Sequence, residues 1–116
     1  MTNSKKLEKL LARMGGLYTV GDILERIGSG RMQSFTHGES WVVTQIGVFP
    51  QKRVLEIIAA VGDIDELRIL HDKVLNFALE MEIPVIQAYG RLGWVPDALG
   101  RGWKVKADSV VLQRVF

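Results

Sequence analysis

The run from Ile64 to Met81 places apolar residues at Leu67, Leu70, Val74, Phe77, Ala78 and Met81, a stripe with helical spacing and polar residues opposite. It lies between two short apolar segments, "RVLEIIAAVG" and "PVIQAYG". In the first, the alternate set Leu55, Ile57, Ala59 and Val61 is wholly apolar, and the set Val54, Glu56, Ile58 and Ala60 is apolar except for Glu56. A strand covered on both faces reads this way. Strand, long helix and strand in succession need a crossover, which returns the chain parallel to the strand it left. The two runs are therefore expected side by side, the first of them central. Asp63 stands at the N-cap with Glu66 three residues later, a capping-box spacing. Pro84 keeps the helix from running on.

The rest of the chain fits around that unit. Ser4 to Met14 is expected as a helix, with Leu7, Leu10, Leu11 and Met14 on one stripe, Asn3 or Ser4 as cap and Gly15-Gly16 as stop. A second helix is expected over Val20 to Ile27, with Ile23, Leu24 and Ile27 inward, ended by Gly28-Ser29-Gly30. "RMQSFTHGESWVVTQIGVFP" has turn residues His37-Gly38-Glu39-Ser40 between two β-prone runs, which predicts an antiparallel hairpin closed by Pro50. After the second apolar segment, Trp94 to Leu99 suits a short helix with Pro96 in its first turn and Gly100 past its end. Two final strands are expected around Ala107-Asp108-Ser109. The expected class is α/β (α+β): one domain over residues 1–116, a mixed central sheet flanked by helices, with residues 1–17 a peripheral helical segment.

A chain of 116 residues can bury roughly two-thirds of its unfolded surface. It has no cysteine, so disulfides and thiolate metal sites are excluded. The formal charge of +2 is small for a nucleic-acid binder. Lys5, Lys6, Lys9 and Arg13 read as a solvated helix face. No stretch approaches the roughly 20 apolar residues of a membrane span, and Glu8, Lys9 and Arg13 interrupt any signal-peptide pattern. A soluble, cytoplasmic or virion-associated protein is the expectation.

Gly90-Arg91-Leu92-Gly93-Trp94 and Gly100-Arg101-Gly102-Trp103 bracket the short helix. With the order helix, helix, hairpin, central strand, long helix, strand, short helix, strand, strand, the phrase "AYGRLGWVPDALGRGWK" resembles the GCN5-related N-acetyltransferase (GNAT) family. It is similar in particular to small acetyltransferase-like proteins of phage and prophage structural-gene clusters. The resemblance covers about residues 18–116. It implies that an acyl-CoA pyrophosphate is held by backbone amides where the central strand opens into the long helix, here Val61, Gly62, Asp63, Ile64 and Asp65. Helix N-termini favour anions through free N–H groups and the dipole. Gly62 matches the first glycine of the family's Gln/Arg-x-x-Gly-x-Gly/Ala pattern. Ala59 stands where Gln or Arg belongs and Ile64 where the second small residue belongs. Asp63, Asp65 and Glu66 also bring carboxylates to the place an anion would occupy, and these suit the dipole with no ligand bound.

The resemblance further implies a strand glutamate as general base, for which Glu56 is the candidate; a solvated edge or an ion pair is its alternative reading. The family's general acid is a tyrosine on the last short helix, where this chain has Ala98. Tyr89 lies earlier, on the strand, as a substitute acid or a packing residue. His37 and His71 lack the spacing of a metal pair, and no metal is expected. Ser29 and Ser34 have no triad context, and "GSGR" at 28–31 lacks the Lys-Ser/Thr of a P-loop. Trp41, Trp94 and Trp103 are candidates for core aromatics or interface anchors. Arg91, Trp94 and Arg101 form an interaction candidate. The expected function is a catalytically degenerate acetyltransferase-like domain, a phage-derived structural or interaction protein, partnered by phage structural proteins or by itself through an apolar sheet edge. The alternative is an active acetyl-CoA-dependent N-acetyltransferase with an atypical pyrophosphate loop.

Overall fold

A computed structural model describes residues 4–13, 16–88, 100–104 and 114. The expected Met14, the short helix over 94–99 and the two final strands lie outside the described residues. Within them the order is α1 (Ser4–Arg13), α2 (Val20–Gly28), β1 (Gln33–His37), β2 (Ser40–Val48), β3 (Arg53–Val61), α3 (Ile64–Glu80) and β4 (Val85–Ala88).

The four strands form one mixed sheet in the order β1-β2-β3-β4. β1 and β2 pair antiparallel with His37 opposite Ser40, so Gly38 and Glu39 alone make the hairpin turn. Gly38 has φ 58 at the first turn position, as a tight primed turn demands. β2 and β3 are antiparallel, and β3 and β4 are parallel from Val54↔Val85 to Ile57↔Ala88. The strand–helix–strand unit thus returns beside itself, as its sequence expects. The molecule is a mixed α+β domain.

Two cores lie on opposite faces of the sheet. One joins Leu7, Leu11, Ile23, Met32, Trp41, Val43, Ala59 and Val61; the other joins Val42, Leu55, Leu67, Leu70, Val74, Ala78 and Ile83. α1 and α2 cover the first and α3 the second. α1, expected at the periphery, is instead integral: Leu7 is fully buried and Leu11 nearly so. Each such leucine contributes about 1.5–3 kcal/mol by leaving water.

β3 does not keep the single alternation of its sequence. Val43 pairs with Ala59 but Thr44 pairs with Ile57, so Ile58 is an extra residue, a β-bulge. The bulge flips the parity of the strand. Leu55 and Ile57 pack towards α3, whereas Ala59 and Val61 pack towards α1 and α2. Two inward expectations also fail at the rims. Leu24 is 51% exposed because Ile23 and Ile27 already face the core one turn apart. Met81 is 41% exposed because it is the C-cap of α3, where the chain turns through Glu82 at φ 56.

Candidate functional site

The junction of β3 and α3 is the best-defined polar centre. Trp41 pairs with Val61, so Ser40, the first residue of β2, lies alongside Gly62. Gly62 has φ 137, and a Cβ there would run into the Oγ, Cβ and Cα of Ser40. Only glycine lets the two backbones come this close. Ser40 is buried, and its hydroxyl works twice. It accepts the Asp63 N–H at 3.0 Å and donates to Glu66 Oε1 at 2.8 Å. The Glu66 carboxylate also lies over Gly38, in the space a Cβ would take. Hairpin turn, strand β2 and helix α3 are thereby joined by one hydroxyl and one carboxylate.

This arrangement replaces the capping box expected from Asp63 and Glu66. Asp63 is the N-cap of α3, but its side chain makes no capping hydrogen bond. Glu66 reaches Ser40 instead, and Ser40 takes the Asp63 N–H. Asp65 and Glu66 occupy the first turn, where carboxylates suit the helix dipole. Asp65 pairs with Arg68 at 3.1 Å. Of the expected cradle, Val61 is buried, Gly62 is packed on Ser40, and Asp63, Ile64 and Asp65 are exposed. The helix end therefore carries carboxylates of its own, and the amide of Asp63 is already engaged. Against a pyrophosphate here stand the carboxylates of Asp63, Asp65 and Glu66, and the Asp63 amide could reach one only by leaving Ser40.

Glu56 is a second and separate centre. It lies six residues before Gly62, roughly 20 Å along an extended strand. The bulge sets it on the α1–α2 face of the sheet. It is in register with Gln45 on β2 and Gln87 on β4, and in-register residues share a face. Its Oε1 lies over Gly47 beside the edge of the Phe49 ring. Among the described residues the half-buried Glu56 carboxylate has no hydrogen bond or ion pair. Among the described residues no Arg or Lys pairs with it.

Tyr89, Arg91 and Trp94 lie outside the described residues. Arg101 is exposed. Trp103 docks on α3, where its indole N–H donates to His71 Nε2 at 2.8 Å. Trp41 is a core aromatic whose indole N–H donates to Ser34. A shallow groove of about 460 Å³ between α1 and α2 is lined mainly by apolar atoms, and its Thr19 is already committed to capping α2. No cluster of His, Asp and Glu among the described residues could hold a metal ion. None of the described helices is long and apolar enough to cross a membrane. Reading by sequence missed Ser40 and the His71–Trp103 contact. Their only signal was a serine closing a turn and a histidine on an otherwise ordinary helix.

No protein-family model matches the chain, and no curated protein does either. Solved structures do match. TTHA1254 of Thermus thermophilus aligns in its wild-type form with a TM-score of 0.63 and 16% identity, over 98% of this chain and 91% of that one. A point mutant of the same protein aligns with a TM-score of 0.66. A probable acetyltransferase aligns with a TM-score of 0.65 and 8% identity, over 100% of this chain and 93% of that one. The fold is acetyltransferase-like. Identities this low carry the architecture and nothing of the chemistry.

Proposed function

We propose that this chain is an acetyltransferase-like domain that has lost acyl-CoA transfer and serves as a structural or interaction component. A second copy or a phage structural protein is the proposed partner. The observation that carries the reading is the hydrogen-bonded trio of Asp63 N–H, Ser40 and Glu66, which fixes a carboxylate at the start of α3. An amide already bonded and a carboxylate already in place oppose a polyanion on electrostatic grounds. The absence of a tyrosine at Ala98 points the same way.

One observation favours a second reading, an active N-acetyltransferase. Glu56 is a half-buried carboxylate with no partner among the described residues, in mid-strand on the α1–α2 face. A general base needs to reach the proton it removes, and nothing described obstructs Glu56 with a competing cation. Release of free CoA thiol from acetyl-CoA, with a panel of primary amines, separates the two. The first reading expects no amine-dependent release. The second expects release that falls by about tenfold or more in Glu56→Gln, while CoA affinity is unchanged.

A further inference from the structure

The end of the sheet farthest from Ser40 carries a surface of its own. There β2 stops at Val48, β3 begins opposite it at Arg53, and α3 runs out at Glu80. Arg53 ties strand to helix, since its Nη2 donates to the carbonyl of Met81. Val48 has the same parity along β2 as Val42 and Ile46, which pack with α3, so it points to the α3 side of the sheet. Yet Val48 is 77% exposed, and Leu79 in the last turn of α3 is 75% exposed. Among the described residues these are the two large apolar side chains most open to water, and Met81 is exposed with them. Phe49 does not join them, because its ring turns to the other face, over Gly47. Isolated apolar residues on a surface need no explanation, but a group gathered at one end marks a place of contact.

Charge at this end is divided. Lys52 and Arg53 stand on the hairpin side, and Glu80 and Glu82 on the helix side. Lys52, Glu80 and Glu82 are exposed, and none of the three has an ion pair among the described residues. We propose that this end is a self-association surface, on which a second copy of the chain docks by a two-fold rotation. The proposal rests on the interaction role given above and supplies the place where the second copy sits. A two-fold contact uses one patch twice, so the patch must complement itself. Here the rotation brings each hairpin side against the other copy's helix side. Val48, Leu79 and Met81 of both copies then meet at the centre. At the rim, Lys52 faces Glu80 and Glu82 of the partner subunit, and the same pairing recurs by symmetry. A strongly acidic or strongly basic partner would meet like charge on one half of the patch; a second copy does not. Stable dimers bury about 1,200–2,000 Å² in total. Three apolar side chains per copy fall short of that, so the pairing is weak and reversible.

The test is sedimentation equilibrium of the full chain from about 10 μM to about 1 mM, at low and high salt. The average mass should climb from monomer towards dimer, and salt should weaken the rise by screening the rim. Leu79→Gln with Val48→Thr keeps helix and strand propensity and should raise the dimer dissociation constant by about tenfold. Lys52→Glu should weaken pairing, as should Glu80→Lys with Glu82→Lys. Mixed together, these two charge variants should pair again, because the rotation then sets opposite charges together at both rims. All these positions are exposed, so thermal unfolding should stay near that of the unaltered chain. A monomer at every concentration overturns the proposal and leaves the patch to a different protein or to none. A dimer indifferent to the apolar pair, or charge variants that do not recover on mixing, overturns it as well and moves the contact to a sheet edge. Amine-dependent release of CoA thiol tests the loss of acyl transfer separately: a monomer that releases none sinks the dimer surface alone, and a dimer that releases thiol sinks that loss alone.

Discussion

At Gly62 the backbone passes against the backbone of Ser40, not merely against a mobile side chain. An alanine there adds a positive-φ penalty to a clash that no rotamer relieves. Gly62→Ala should cost about 2–4 kcal/mol, read as a lower urea midpoint at constant slope. A rise in the midpoint would show that the two segments can separate freely. Asp22 makes a different demand. The Thr19 backbone N–H, donating at 2.9 Å, holds the Asp22 carboxyl below the usual carboxylate range, helped by the Thr19 hydroxyl and by Arg26. A depressed carboxyl adds stability that is present above the ordinary carboxylate range and disappears as pH falls through the folded value. Asp22→Asn should therefore flatten the acid limb of the stability–pH curve. The effect is small because the group is exposed, and an unchanged limb would contradict the capping box.

The elements differ in how far their sequences specify them. α3 was legible because six apolar residues repeat at helical spacing, and the hairpin because turn residues separate two β-prone runs. The parallel pairing of β3 and β4 followed from the helix between them. The bulge at Ile58 was not legible. Ile57, Ile58, Ala59 and Ala60 are all apolar, so a change of parity leaves no trace in the pattern. The Ser40–Glu66 bond was hidden for another reason. Its partners are 26 residues apart, and Glu66 already had a local explanation as a capping-box residue. Likewise Trp103 and His71 are 32 residues apart, and the phrase that holds Trp103 gives no sign of His71 as its partner. Glu56 was singled out as the lone polar residue within its apolar run, but its setting over Gly47 depends on the register with β2. Ser40→Ala removes the acceptor of the Asp63 N–H and the donor to Glu66. It should cost about 1–3 kcal/mol, measured by thermal or urea unfolding, and a neutral outcome would mean that water serves both groups as well.

The whole molecule is a sheet between two cores, and α1 belongs to one of them. Leu7 touches the same cluster as Trp41, Val43 and Val61. Leu7→Ala should cost about 2–5 kcal/mol and leave a single unfolding transition. A separate early transition for α1 would make that helix an appendage after all. On this scaffold, on the proposed reading, the carboxylates at the start of α3 stand against an acyl-CoA phosphate. The most direct test is thermal unfolding with increasing acetyl-CoA. A ligand at about one hundred times its Kd adds about 2.7 kcal/mol to stability. The expected result is a midpoint that does not move up to millimolar acetyl-CoA. A saturable rise would contradict the proposed loss of acyl-CoA binding and favour the enzyme.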